Sequence, residues 1–229
     1  GRVRAGAPRR ALRPPPARAR ADAPASYNGA RTITCPGVNM GLKSAVATAY
    51  LAVSRWKLVC EPLPPKVVII GAPHTSNWDG VFMAVSLWKA GRPFQFLVKD
   101  SLAKAPVLGA FIRAIGGVSV QRGHANGLVG QVAERFRASE SFTLCMTPKG
   151  TRSPREHWKS GFYRIALEAG VPIQLGFVDA STRTFGWGPT YELTGDMRAD
   201  MDAIRAFYAG KTGVHPERAS VPRLRGEDG

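Results

Sequence analysis

His74 and Asp79 stand five positions apart in IIGAPHTSNWDGVFM, residues 69–83, where an apolar run gives way to a polar turn. A histidine in the turn after a buried strand can have its ring orientation and tautomer fixed by a hydrogen bond from Nδ1 to a carboxylate one helical turn further on. Nε2 is then left to act as a base. The carboxylate also stabilises the imidazolium formed when the ring takes a proton. A serine nucleophile is not required if that proton comes from a substrate hydroxyl. A plainer reading stands beside this one: Thr75, Ser76, Asn77 and Asp79 all suit a helix N-terminus, and a histidine beside an aspartate is commonly a cap or an ion pair. Spacing alone leaves both open.

Further along, Arg122 and Arg152 each follow a predicted strand, and in a parallel sheet both reach the edge where His74 lies. Two guanidinium groups offer fixed forks of donors matched to phosphate oxygens, with a charge that cannot be titrated away. Gly150 and Thr151 let backbone and hydroxyl donors approach the same anion. Lys99, at the end of FQFLVK, is a weaker third cation. His124 and His157 lack metal-ligand spacing, so no metal is expected. Ser119, Ser153 and Ser160 lack the G-x-S-x-G setting of a serine hydrolase. Trp78, Trp88 and Trp158 read as core or interface packing.

The elements that must position these residues are legible from residue 66 onward. KVVIIGA, FQFLVK, VSVQR, FTLCMT and PIQLGFV read as strands bounded by Gly, Pro or charge. NWDGVFMAVSLWKAG, APVLGAFIRAIGG, NGLVGQVAERFRASE and GFYRIALEAG have helical spacing, several with Gly near the C-terminal end. Such alternation predicts an α/β fold with a mainly parallel central sheet flanked by helices, whose sites lie beyond the carboxyl ends of the strands. The tail from Met197 starts as an amphipathic helix and ends in a polar, Pro-containing segment in which no chemistry is read.

With 229 residues, 44% of them hydrophobic, the chain suits one well-buried domain. Its formal charge of +16 points to an anionic partner: nucleic acid, a phospholipid surface or a phosphorylated substrate. Residues 1–39 hold eight Arg against one Asp in an Arg/Pro/Ala-rich arm without apolar periodicity, read as disordered. This arm resembles a transit peptide or an upstream translation, and Met40 directly precedes the first periodic segment. The domain is therefore set at 40–229, including an N-terminal interfacial helix at 43–58 that is too short for a membrane span. Cys35, Cys60 and Cys145 are odd in number and show no paired framework, which favours a reducing setting.

Four blocks carry a resemblance. PHTSNWD is similar to the H-x-x-x-x-D block of the glycerolipid acyltransferases, typified by the 1-acylglycerol-3-phosphate acyltransferases. GGVSVQR, residues 116–122, is similar to their G-x-I-x-V-D-R segment, whose arginine belongs to the acceptor phosphate site. TPKGTRS, residues 147–153, resembles F-P-E-G-T-R-S, and GVPIQL, residues 170–175, resembles the final V-P-I segment. HWKSGFYRIALEAG adds the W-K-x-G-F stretch of a small bacterial branch. The order of the blocks holds over roughly residues 64–180. Two positions depart from the pattern: Lys149 stands where the family has Glu, and Gln121 where it often has Asp.

This resemblance implies an O-acyltransferase that moves a fatty acyl group from acyl-CoA or acyl carrier protein to a hydroxyl of a lysophospholipid such as 1-acylglycerol-3-phosphate, in phospholipid biosynthesis. His74 would be the base and Asp79 its orienting partner. Arg122, Arg152, Lys99, Lys149, Gly150 and Thr151 would bind the substrate phosphate. Beyond the thioester co-substrate no cofactor is implied. A basic face and the helix at 43–58 would dock the protein peripherally on the cytoplasmic face of a membrane. The alternatives are a lipid-binding protein of the same fold in which Lys149 has impaired turnover, or an acyltransferase for a different lipid acceptor. The acceptor head group is expected to depend on loops around Lys149 and residues 181–194. A nucleic-acid binder is disfavoured, because no reader motif accompanies the charge.

Overall fold

The computed structural model describes residues 41–99, 104–120 and 125–227. The expectation for the arm at 1–39 lies outside them. In chain order the elements are α1 (Leu42–Val53), β1 (Lys57–Cys60), β2 (Lys66–Ala72), α2 (Trp78–Lys89), β3 (Gln95–Lys99), α3 (Pro106–Ala114), β4 (Gly117–Val120), α4 (Ala125–Ala138), β5 (Phe142–Met146), α5 (Gly161–Ala169), β6 (Ile173–Asp179), β7 (Thr184–Tyr191) and α6 (Met197–Tyr208), followed by two short 3-10 turns. Among the described residues seven strands form one sheet in the order β1-β7-β6-β2-β5-β3-β4. Every pairing is parallel except β6 with β7. The fold is thus α/β with a mainly parallel sheet flanked by helices, as the alternation of elements predicts.

Centrally placed strands must be apolar on both faces, because helices cover each side of the sheet. In β2 the run Val67–Ile70 is buried throughout, and every residue of β6 is buried. On one face Phe136, Phe162, Ile165, Met201 and Ile204 of the covering helices join Val68, Ile70, Leu144 and Leu175. On the other face α2 contributes Ala84 and Leu87 against Val67, Ile69 and Cys145. Phe82 of α2 stacks near Phe185 of β7 and Trp56, with ring centroids 4.7 and 4.5 Å away.

Two expectations are corrected. The first helix ends at Val53 rather than running to 58, because Lys57–Cys60 leaves it to pair with β7. Residues 184–191 are the strand β7 rather than a loop. Gly186 is obligatory there: its φ is +136°, and a Cβ would lie 1.8 Å from the Val59 carbonyl oxygen. Cys145 is free, and burial in β5 pushes its thiol well up, which rules it out as a nucleophile.

After α6 the chain turns back across the carboxyl ends of the central strands, in a strap from Gly210 to Leu224. Asp179, at the end of β6, holds its beginning by accepting from Thr212 N and Oγ1. Leu224, completely buried, closes it. At the far end Arg205 of α6 donates to Glu227 at 2.6 Å.

Candidate active site

The sheet order puts β2 directly beside β5, and parallel pairing brings the turns after both strands to the same edge. After β2 come a cis Ala72–Pro73 peptide and the turn His74–Asn77, which leads into α2. After β5 comes the turn Thr147–Gly150, closed by donation from Gly150 N to the Thr147 carbonyl at 2.9 Å. Gly150 has a φ of +66°, and a Cβ there would meet the Lys159 side chain at 3.1 Å. Its left-handed conformation shapes this turn.

Asp79 lies in the first turn of α2 and turns back over the loop that precedes it. Its Oδ2 accepts from Thr75 N at 2.8 Å and Ser76 N at 2.9 Å, and it meets His74 Nδ1 at 3.0 Å. An oxygen already accepting two backbone N–H groups is an acceptor for the third contact too. Nδ1 therefore carries a proton, and in the neutral ring it is Nε2 that has the lone pair. The capping and catalytic readings of this motif are compatible, since one carboxylate oxygen meets both the backbone donors and the ring. Asp79 is nearly buried, with 9% of its side chain exposed, whereas His74 retains 21%. The imidazole is reachable and its carboxylate partner is shielded.

Asp79 Oδ1 is buried and accepts no hydrogen bond among the described residues. The nearby charge of Lys149 partly balances it. Burial lowers the Lys149 pKa, and the Asp79 carboxylate opposes that shift. Lys149 is only 3% exposed, and its Nζ donates to the Arg218 carbonyl at 2.5 Å. The ammonium expected among the phosphate ligands thus points into the protein and holds the strap.

Beside the His74 turn opens a cleft of about 610 Å³, lined by Ser76, Asn77, Trp78, Arg152, His215 and Arg218 with the adjoining Ser153 and Pro154. Arg152 is exposed in this cleft, and Thr151 Oγ1 accepts from Ser153 N to shape the loop that carries it. Trp78 is 54% exposed at the rim, not packed in the core; Trp158 is the buried one, at 4%. Arg122 lies outside the described residues. Lys99 ends β3, beside β4 and on the same sheet edge.

His215 and Arg218 were not expected from the sequence. Their segment, VHPER, has neither periodicity nor a motif, and only its Pro and its charges mark it as an ordered polar turn. The strap carrying them is fastened to the site at successive points. His215 N donates to Thr75 Oγ1 at 3.2 Å, and the completely buried Thr75 precedes Ser76 in the Asp79-capped turn. Arg155 N donates to Ser220 Oγ at 2.9 Å, and Trp158 N to the Arg223 carbonyl at 2.7 Å. Gly213 packs so closely that a Cβ would lie 2.8 Å from Thr75 Oγ1 and 2.9 Å from Pro73 Cγ.

This arrangement provides an imidazole oriented by a carboxylate, beside a polar cleft with an arginine from each of two segments, a constellation suited to deprotonating a hydroxyl on an anionic substrate. The fold agrees with a solved relative: the crystal structure of the 1-acyl-sn-glycerophosphate acyltransferase PlsC from Thermotoga maritima aligns at a TM-score of 0.50 and 15% identity, covering 73% of this chain and 78% of that one. No curated protein matches the chain by sequence. The family model for acyltransferases matches residues 60–174, just over half of the 229 residues and the stretch that holds the His74 turn, β5 and the Arg152 loop. The chain belongs to the acyltransferase family.

Proposed function

We propose that this protein transfers a fatty acyl group from an acyl thioester, of CoA or acyl carrier protein, to a free hydroxyl of a lysophospholipid such as 1-acylglycerol-3-phosphate. The observation that carries the proposal is the 3.0 Å contact between His74 Nδ1 and Asp79 Oδ2, at the sheet edge that also presents Arg152. His74 Nε2 takes the proton of the acceptor hydroxyl as its oxygen attacks the thioester carbonyl. The tetrahedral intermediate collapses, the C–S bond breaks, and the departing thiolate takes the proton back from the imidazolium. An ester and a free thiol result, with protons and charge balanced. The thioester carries its own activation, so this step calls for no metal or redox group. Arg152 would hold the acceptor phosphate, with Arg122 and Lys99 as further ligands from the neighbouring strand ends.

Acceptor and product are membrane lipids, and the reaction is proposed to run on a membrane surface, at its cytoplasmic face. Among the described residues no helix is long and apolar enough to cross a bilayer. On α1, however, Leu42 and Val53 are 82% and 85% exposed, and Val46 shares their helix face. At 3.6 residues per turn the three lie within about 40° of one another. Such a stripe suits peripheral seating.

The experiment is thiol release from a panel of acyl-CoA and acyl-carrier donors with lysophosphatidic acid and other lysolipids. Acceptor-dependent turnover in the native chain that falls by roughly 10²–10⁴ in His74→Ala supports the base assignment. Saturable lysolipid binding with no turnover anywhere in the panel would replace the enzyme by a lipid-binding protein of the same fold.

A further inference from the structure

Arg218 and His215 lie beyond the segment matched by the family model, yet they line the same cleft as Arg152. We propose that the strap completes an anion subsite for a phosphate monoester, with Arg218 as a ligand opposite Arg152 and Lys149 as the residue that positions it. The inference rests on the acyltransferase reading for its substrate, and adds where and from which residues phosphate selectivity arises.

Three observations support it. First, two guanidinium-bearing residues and an imidazole converge on one cleft at the N-terminus of the 12-residue helix α2, where the helix dipole also favours an anion. Second, the strap is tied to the catalytic turn itself, through His215 N to Thr75 Oγ1, so Arg218 is held in fixed relation to His74. Third, the position where the family resemblance leads one to expect Glu carries Lys149, whose buried Nζ donates to the carbonyl of Arg218 itself. A carboxylate could accept a hydrogen bond there but could not donate to that carbonyl. Lysine at 149 therefore anchors the strap at the residue that carries the guanidinium. Glu217 Oε1 lies 3.5 Å from Arg218 Nε and 3.6 Å from His215 Nδ1, and the Arg218 side chain keeps 47% of its surface exposed for a ligand.

A phosphate monoester can come from the acceptor head group or from the 3′-phosphate of CoA, and the test separates the two. KM and kcat are measured for native protein, Arg218→Ala, Arg218→Lys, Lys149→Met and the double variant Lys149→Met/Arg218→Ala. Each is run with lysophosphatidic acid against monoacylglycerol, and with acyl-CoA against acyl-dephospho-CoA. Binding of sn-glycerol 3-phosphate and of CoA is titrated in parallel by calorimetry. Arg218→Ala should raise KM for one phosphorylated partner by about tenfold or more, the size of a lost charge-assisted contact, and discriminate less against its unphosphorylated counterpart. Arg218→Lys should recover part of this loss. Lys149→Met should give a smaller rise that falls on KM, and it should add nothing in the double variant, since its effect runs through Arg218. Which partner shows the loss identifies the source of the phosphate.

Equal KM and equal binding in native and Arg218→Ala, with turnover intact, would overturn the subsite and leave the acyltransferase reading standing. Lost glycerol 3-phosphate or CoA binding in Arg218→Ala, with no turnover in any protein, would retain the subsite and remove the enzyme. Fully additive losses in the double variant would overturn the positioning role of Lys149.

Discussion

Lys149 Nζ donates to the main-chain carbonyl of Arg218, 69 residues further along the chain, while its charge faces the buried carboxylate of Asp79. One side chain thereby couples the turn after β5, the His74–Asp79 pair and the C-terminal strap. Replacing it with the family's glutamate would set two carboxylates against each other and leave the Arg218 carbonyl facing an acceptor. Lys149→Glu should therefore lower thermal stability more than Lys149→Met, for which the unpaired carbonyl alone costs about 1–2 kcal/mol. Both should raise KM for the phosphorylated partner, because both release the Arg218 carbonyl. Thermal midpoints of the two variants check this, and a glutamate variant as stable and active as the native chain would contradict it.

Asp79 combines capping with ring orientation, and Asp79→Asn separates the two. The amide oxygen can still accept from Thr75 N and Ser76 N, but the carboxylate that stabilises the imidazolium is gone. In a base-dependent transfer this should lower kcat by roughly 10²–10⁴. Thermal stability should fall much less than in Asp79→Ala, where both backbone donors lose their acceptor. Comparable kcat values for Asp79→Asn and native protein would make the motif a cap and nothing more.

These two predictions draw on information of different kinds, and only one kind is visible in a sequence. His74 and Asp79 are joined within a single loop and the first turn of a helix, so their spacing encodes their contact. The buried runs of β2 and β6 are equally plain, being continuous apolar stretches between turn signals. By contrast, β7 is interrupted by Gly186, Gly188 and Pro189, and β1 is four residues long with Lys57 at its head, so neither has a strand signature without its partner. The contact from Lys149 ends on a backbone carbonyl, which every residue has. Nothing in the types of residues 149 and 218 could announce it. The strap that brings Arg218 to the cleft is fixed by tertiary contacts alone.

The exposed stripe on α1 yields a prediction independent of the chemistry. Leu42→Asp combined with Val53→Asp adds two negative charges to the proposed membrane-facing side without touching the sheet. Sedimentation with vesicles containing anionic lipid should fall severalfold, since each step against an anionic surface loses both apolar burial and about 1 kcal/mol of electrostatic attraction per charge. Turnover of a short-chain, water-soluble acceptor should persist. Unchanged vesicle binding would move the docking surface elsewhere.

Asp179 supplies the pH dependence. Burial alone would raise its carboxyl pKa, but hydrogen bonds from Thr182, Ser181 and Thr212 outweigh that and hold it below its ordinary value of 3.8. A folded-state pKa below the unfolded one means that the contribution to stability is complete above 3.8 and disappears as pH falls through the lower, folded value. Lys211, whose burial lowers its own pKa, feels the same carboxylate and keeps its charge throughout this acidic range. Asp179→Asn should therefore shift the urea midpoint downward near neutral pH, and the gap from native protein should narrow as pH drops below 3.8. Because Asp179 also accepts from Thr212, the amide should loosen the root of the strap and weaken glycerol 3-phosphate binding in the same neutral range. A midpoint gap that stays constant from neutral pH into acid would show that the Asp179 charge contributes nothing to holding the strap.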